Sequence, residues 1–145
     1  MKRVPELRAL SNDHHRGLVL ARKAKKSGTE SDLSLRDMWV SIELYFKTDL
    51  EPHFQIEELH IGSNLEAAGE SGMAKRLYEE HDALRRFIHS KSERTSSNLQ
   101  KFGELLEEHI RFEERELFEV AQNNLSADVL FAIEKACYVK NFQRE

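Results

Sequence analysis

Residues 97–122, SNLQKFGELLEEHIRFEERELFEVAQ, carry the clearest secondary-structure signal in the chain. Apolar side chains recur there about every 3.6 residues, the period of a helix with one buried face. They are Leu99, Phe102, Leu106, Phe112, Leu117 and Val120. Ser97, followed three residues later by Gln100, forms a capping-box pattern that marks a helix start. We therefore predict a helix from Ser97 to Gln122 that packs one face against a core.

The same kinds of signal predict helices on both sides of this stretch. Serines mark the starts as N-caps, while Gly28 and Gly62 mark ends. The predicted helices are Ser11–Ser27, Ser34–Ile61, Ser71–Ser92 and a short C-terminal Ser126–Asn141. Long helices with short connections predict an all-α, up-down-up-down four-helix bundle with a short fifth C-terminal helix. Pro52 lies inside the second helix and should kink it, because proline lacks the backbone N–H.

Composition narrows the class of protein. The 145 residues suit one domain, 1–145, and 33% charged against 39% apolar residues indicates a modest core. A net charge of -4 with well-mixed signs argues against a nucleic-acid partner. No apolar run is long enough to cross a bilayer, so we expect no membrane association. The single cysteine, Cys137, excludes an internal disulfide framework and fits a reducing compartment, so we expect a cytoplasmic protein.

Histidines are frequent, and there are 7 of them. Each long predicted helix carries at least one that can face inward; these are His14 or His15, His53, His81 and His109. At about 1.5 Å of rise per residue, His53 and His81 lie level on either side of their loop. His14 and His53 differ in level by about 9 Å, which the Pro52 kink or the start of the second helix must absorb.

Two of these histidines open a repeated hexamer. His53–Glu58 is HFQIEE and His109–Glu114 is HIRFEE, so each histidine has a glutamate four residues later on the same helix face. One such pair is a weak signal, because His89 and Glu93 have the same spacing at a polar helix end. The repetition, with histidines at the same level on the other helices, predicts a buried metal site. Burying these groups without a metal would carry a large desolvation cost. Mixed imidazole and carboxylate ligands suit iron, manganese or zinc.

Four segments resemble the hemerythrin-like (HHE cation-binding) family over about residues 7–122. They are LSNDHH from Leu10, PHFQIEE from Pro52, EHDAL from Glu80 and HIRFEERELF from His109. The resemblance implies a four-helix bundle around a non-haem di-iron centre, with two oxo- or hydroxo-bridged irons. It implies that Glu57 and Glu113 bridge the metals, that His14 and His53 bind one iron, and that His81 and His109 bind the other.

The chain departs from the oxygen-carrying members of this family in one position. Those members have a fifth histidine one turn before the residue that corresponds to His81, whereas this chain has Leu77 there. Of about 12 positions around two six-coordinate irons, two rather than one would stay open. The extra open position favours chemistry or sensing over carriage, unless Tyr78 or His15 closes it.

Some assignments stay open at this point. His14 shares a helix face with Leu10 and Leu18, which favours it over His15 as the ligand. Glu113 repeats the spacing of Glu57, which favours it over its neighbour Glu114. We expect His60 and His89 to face solvent and Cys137 to be a packing residue. The apolar face of the last helix predicts either a cap on the bundle or a dimer contact.

The leading functional hypothesis is a di-iron protein that binds O2 or NO at an open iron position. One alternative is a di-iron enzyme or repair factor that turns over peroxide or NO or repairs iron–sulfur clusters. Another alternative is a metal- or redox-sensing interaction module. Either a monomer or a homodimer fits the sequence.

Overall fold

The computed structural model describes residues 2–26, 32–89 and 93–143, and these ranges form five helices with no strand among them. A 3₁₀ turn, Pro5–Leu7, leads into helix α1, Arg8–Lys25. Helix α3 is Ser71–His89 and helix α5 is Ala127–Gln143. The predicted all-α class is therefore confirmed, while the up-and-down order of the helices stays a prediction.

Helices α2 and α4 are long and change their hydrogen-bonding pattern along the way. Helix α2 runs through Asp32–Tyr45, a π segment Phe46–Leu50, Glu51–Ile56, a second π segment Glu57–Gly62, and Ser63–Ala67. Helix α4 runs through Ser96–Phe112, a π segment Glu113–Leu117, and Phe118–Asn124. Glu57 and Glu113 are thus each the first residue of a π segment. Widened turns of this kind are frequent at functional sites.

Several predicted helix starts were wrong. Helix α1 begins before Ser11, whose hydroxyl donates to Glu114 Oε2 at 2.8 Å instead of capping a helix. Helix α4 is capped by Thr95 rather than Ser97, because the Thr95 hydroxyl accepts from the backbone N–H of Asn98 at 3.1 Å. The predicted cap of the last helix is confirmed, since the Ser126 hydroxyl accepts from the N–H of Val129 at 3.2 Å.

Some predicted helix ends also differ from the structure. Helix α2 does not stop at Ile61, because the π segment carries it through Gly62 to Ala67. The glycine that turns the chain is Gly69, whose φ of 90° is the left-handed conformation that glycine tolerates best. Helix α4 ends at Asn124, two residues beyond the predicted Gln122. The predicted ends at Ser27, Gly28 and Ser92 lie outside the described residues.

Pro52 does not interrupt helix α2. It follows the π segment Phe46–Leu50, and the N–H of Glu51 reaches back five residues to the carbonyl of Phe46. A widened turn just before Pro52 gives room to a ring that would otherwise clash with the preceding turn. The helix thus continues directly into His53, while a kink at this point stays a prediction.

The buried side chains form two apolar clusters. One lies toward the C-terminal half of α1 and contains Ala21, Ala24, Trp39, Ile42, Phe46, Leu50, Phe54, Leu84, Leu99, Phe102, Leu106 and Ile110. The other contains Leu7, Leu10, Ile61, Leu65, Leu77, Phe112, Leu117, Phe118, Ala121, Ile133 and Cys137. Along α1, α2 and α3 the two clusters are separated by one interval of buried polar residues.

Helix α5 belongs to the second cluster through Ile133 and Cys137. It contacts the Pro5–Leu7 turn, α1 and α2. The predicted fifth helix, Ser126–Asn141, is confirmed with slightly different ends, but at 17 residues it is about as long as α1, with 18, and so is not short. Within the described ranges, no helix has both the length and the apolarity that crossing a bilayer requires.

Candidate metal centre

The six residues favoured by the sequence as metal ligands lie together inside the bundle. We call them the donor layer: His14, His53, Glu57, His81, His109 and Glu113. All six are buried, and Glu57, His81 and Glu113 have no exposed surface at all. Each helix from α1 to α4 contributes a histidine, and α2 and α4 also contribute a glutamate.

The donor layer divides into two groups that share both glutamates. His14 and His53 form the first group with Glu57 and Glu113, and His81 and His109 form the second with the same two glutamates. In each group the possible ligand atoms all lie within 4.8 Å of one another. Two overlapping groups of this size can hold two metal ions that share carboxylates.

The two glutamates point one oxygen at each group. Oε2 of Glu57 lies 2.9 Å from His53 Nε2, and Oε1 lies 3.2 Å from His81 Nε2. Oε1 of Glu113 lies 2.8 Å from His14 Nε2, and Oε2 lies 3.2 Å from His109 Nε2. This is the disposition that a carboxylate bridging two metal ions requires.

A second set of carboxylates holds the other nitrogen of every imidazole. We call them the outer carboxylates: Asp13, Glu58, Glu80 and Glu114. His14 Nδ1 lies 2.7 Å from Glu114, and His53 Nδ1 lies 3.0 Å from Asp13. His81 Nδ1 lies 2.7 Å from Glu58, and His109 Nδ1 lies 2.7 Å from Glu80. A hydrogen bond from Nδ1 fixes the ring orientation and leaves Nε2 to face the centre.

The outer carboxylates form a closed ring around the bundle. Helix α1 supplies the carboxylate for the α2 histidine, α2 for α3, α3 for α4, and α4 for α1. Every outer carboxylate is also next in sequence to a donor-layer residue of its own helix. Asp13, Glu58 and Glu80 were not predicted from the sequence, although each stands next to a predicted ligand, which was a visible signal. Glu114 was predicted only as an alternative to Glu113.

Carboxylates set the protonation of the buried histidines. Burial disfavours charged imidazolium, but the hydrogen bonds that His14 donates to Glu113 and Glu114 outweigh burial and raise the pKa of His14 to about 9. Against the same burial, Glu113, Glu57 and Glu58 raise the pKa of His81 to about 10. The pKa of Glu113 moves well below its usual range despite burial, chiefly because of the charge on His109. These pKa values show that the buried carboxylates favour positive charge beside them. Protons on the histidines supply that charge when no metal ion is bound.

The unpaired polar atoms test whether a metal fits. In the ranges that the structure describes, every buried side-chain N or O atom without a hydrogen-bond partner belongs to the donor layer; they are His53 Nε2, Glu57 Oε1 and Oε2, His81 Nε2, His109 Nε2 and Glu113 Oε2. Leaving such atoms unpaired is costly, so native proteins rarely do it. Imidazole nitrogen and carboxylate oxygen are the donors that iron, manganese or zinc accept. The residues present therefore fit a metal pair.

The two less certain candidates lie away from the donor layer. His15 is exposed and lines a surface groove with Arg16 and Tyr45. Tyr78 is half-buried, and its hydroxyl lies 3.5 Å from the backbone carbonyl of Glu58. Leu77, at the position of the fifth histidine of oxygen carriers, is fully buried in the second apolar cluster.

The other reactive side chains have ordinary environments. His89 is exposed and presents its ring edge-to-face to Phe46 at 5.5 Å between centroids. His60 is half-buried rather than solvent-facing, and burial lowers its pKa. Cys137 is buried, and burial raises the pKa of its thiol to about 11, which suits a packing residue.

Comparison with known proteins identifies a family. The family model described as the hemerythrin HHE cation binding domain matches residues 6–121. Searches of curated proteins and of solved structures each found no match. The matched region includes the whole donor layer and ends before α5. Because the match covers most of the chain, this protein belongs to the hemerythrin HHE cation-binding domain family.

Proposed function

We propose that this chain is a non-haem di-iron protein that binds O2 or NO at an open iron position. The observation that carries the proposal is the set of unpaired atoms in the donor layer, which come from helices α2, α3 and α4 and belong to two groups of closely spaced ligand atoms that His14 of α1 completes. His14 and His53 would hold one iron, His81 and His109 the other, and Glu57 and Glu113 would join them. Tyr78 and His15, which lie away from the donor layer, are not needed as ligands in this proposal.

Iron, when bound, supplies electrons and affinity for a diatomic ligand. The chain supplies a rigid cage, because each imidazole is held at Nδ1 by an outer carboxylate and backed by packed rings. Phe54 stacks on His81 at 3.8 Å between centroids, and Phe118 stacks on His14 at 5.4 Å. The apolar clusters on both sides keep water away from the donors, so that a small uncharged ligand has an advantage there.

Leu77 affects where a diatomic ligand could bind. It lies one turn before His81, is fully buried, and brings no donor atom to the second group. The iron held by His81 and His109 would therefore have fewer protein ligands than in oxygen carriers. We place the diatomic ligand at this iron.

Metal analysis of purified protein, together with its visible spectrum, tests the proposal. We expect two irons per chain and a charge-transfer absorption when the reduced protein meets air. His53→Ala should lower the iron content, whereas His89→Ala, which changes a surface histidine of the same HxxxE spacing, should not. A chain that takes up no iron, or iron-loaded protein without such a band, would contradict the proposal.

A di-iron enzyme is the second candidate, and Leu77 is the observation that favours it. An additional open position lets a peroxide or a second NO approach the metal, so turnover becomes feasible. Steady-state assays with H2O2 and NO separate the candidates. A binding protein consumes at most stoichiometric ligand, whereas an enzyme turns over many equivalents per site.

We also propose that residues 1–145 form a single cytoplasmic domain, as a monomer or a homodimer. The free, buried Cys137 suits a reducing compartment. Exposed aromatic rings on α5, namely Phe131, Tyr138 and Phe142, are compatible with a dimer contact. Sedimentation at several concentrations would distinguish monomer from dimer.

A further inference from the structure

Each outer carboxylate is paired with a basic side chain, which we call its outer cation. Lys140 Nζ lies 2.7 Å from Asp13, and Arg85 Nη1 lies 2.8 Å from Glu58. Arg76 Nε lies 2.8 Å from Glu80, and Arg3 Nη2 lies 3.4 Å from Glu114. The centre therefore consists of concentric layers: donors, outer carboxylates and outer cations.

The outer cations come from different parts of the chain in the two groups of the donor layer. In the group of His81 and His109, both outer cations lie on helix α3. Arg76 lies five residues before His81, and Arg85 lies four residues after it. The corresponding positions around His14 in α1 are Ala9 and Leu18, which carry no charge.

In the group of His14 and His53, both outer cations come from segments outside the family match. Arg3 precedes residue 6, where the match begins, and Lys140 lies beyond residue 121, where it ends. Helix α5 thus brings a cation that α1 lacks to the outer carboxylate of His53.

We propose that Lys140 is a positioning residue of the metal centre, and that α5 orients His53 through Asp13. The inference rests on the proposed metal site. Its distinctive consequence is asymmetry: the metal position of His14 and His53 depends on α5, whereas the position of His81 and His109 does not.

The contacts of Asp13 support this role for Lys140. A single oxygen, Asp13 Oδ2, accepts from Lys140 Nζ at 2.7 Å and contacts His53 Nδ1 at 3.0 Å. Lys140 is 8% exposed, unusual for a lysine and expected only where it is paired. The cation therefore determines where Asp13 points, and Asp13 determines where the His53 ring points.

No other cation among the described residues takes the place of Lys140. Arg16 approaches the other oxygen of Asp13 only to 4.0 Å, and it contacts Asp49 more closely, at 3.0 Å. The α5 backbone is held independently of this ion pair, because Ile133 and Cys137 pack in the second apolar cluster. Removing the charge of Lys140 should thus leave α5 docked while releasing Asp13.

Stepwise Co²⁺ titration of the full chain tests the inference, with Lys140→Met as the variant and Arg76→Met as the matched control. Arg76 is the outer cation of Glu80, and thus of His109, in the other group. We expect K140M to weaken one of two binding steps about tenfold, as for other groups that orient metal ligands. Lys140→Arg should restore that step, and R76M should weaken the other step instead, because Arg76 belongs to the other group.

Proton NMR of the Co²⁺-loaded protein identifies the histidine that moves. The exchangeable imidazole N–H of His53 should shift and exchange faster with water in K140M, while that of His81 stays unchanged. Should K140M fail to fold, Asp13→Asn serves instead, since it removes the carboxylate through which Lys140 acts and should weaken the same step.

The outcomes separate the two proposals. Two Co²⁺ ions in the wild-type chain, with both steps and the His53 signal unchanged in K140M, would overturn the role of Lys140 alone. A uniform weakening of both steps would also overturn it, because a merely structural role predicts that result. A wild-type chain that binds no Co²⁺ would overturn the proposed metal site and this inference together.

Discussion

Neighbouring residues of the same type have different roles in this protein. His14 is buried in the donor layer, whereas His15 is exposed. Glu113 is fully buried and faces the imidazole Nε2 atoms, whereas Glu114 lies further out and holds His14 Nδ1. Consecutive helical residues point about 100° apart, so only one of each pair can face the centre.

The two histidines of α1 make a matched pair of variants. His14→Gln should lower the bound metal toward one ion per chain, because it removes a ligand from the first group. His15→Gln changes an exposed ring and should leave the metal content at the wild-type value. Metal analysis of both variants after identical loading checks this. Equal losses in the two variants would contradict the assignment of His14.

The two glutamates of α4 make a second pair. Glu113→Gln should abolish the binding of at least one metal, because it removes a carboxylate shared by both groups. Glu114→Gln should weaken binding about tenfold without abolishing it, because the amide orients His14 less firmly than the carboxylate does. Titration calorimetry distinguishes lost sites from weakened ones. A larger effect of E114Q than of E113Q would reverse the two roles.

At the scale of elements, π segments and close helix contacts position the donors. Glu57 and Glu113 each open a π segment, so the two HxxxEE repeats also share a backbone irregularity. Helices α1 and α4 form the most extensive contact between elements of the bundle. They meet where Gly103 of α4 faces the backbone of α1, and a close approach is possible there because glycine has no Cβ.

Gly103→Ala should destabilise the bundle by about 1–3 kcal/mol, the usual cost of overpacking. An added Cβ would lie 2.6 Å from the carbonyl oxygen of Ala21, and backbone cannot move aside as a side-chain end can. Gly72→Ala is the control, since its Cβ would meet nothing within 4 Å. Urea unfolding of the metal-free variants measures both. Equal free energies of unfolding for G103A and G72A would show that α1 and α4 can move apart without a loss of stability.

At the scale of the whole molecule, buried charge links metal, protons and stability. In the metal-free protein the histidines of the donor layer have pKa values above their ordinary 6.5, about 9 for His14 and about 10 for His81. Their protonation therefore stabilises the folded state fully below pH 6.5. That contribution is lost as the pH rises toward the folded-state values. Bound metal ions would replace the protons and weaken this dependence.

The melting temperature of metal-free protein should therefore fall between about pH 6.5 and about pH 8.5. The same measurement on metal-loaded protein is the control and should show a smaller fall. The window stops there because Cys137, whose thiol pKa rises from 9.0 to about 11, adds a loss of its own at higher pH. A metal-free melting temperature that stays constant or rises across the window would contradict the prediction.

The sequence by itself predicted the helical class, which is confirmed, and six metal ligands, whose side chains the structure brings together and whose role stays a prediction. Helical periodicity and the one-turn spacing of histidine and glutamate are local properties, which any segment displays before it meets its neighbours. Helix boundaries were less accurate, because Thr95 and Ser97 can both cap a helix in isolation and only the folded chain chooses between them.

Only the tertiary structure decided which outer carboxylate serves which histidine. Asp13 is adjacent to His14 in sequence yet serves His53, and Glu114 crosses to His14, since neighbouring helices rather than neighbouring residues meet in the bundle. The place of Lys140 beside Asp13 depends in the same way on α5 docking 127 residues away in sequence. Such pairings are long-range consequences of packing, so no local pattern in the chain encodes them.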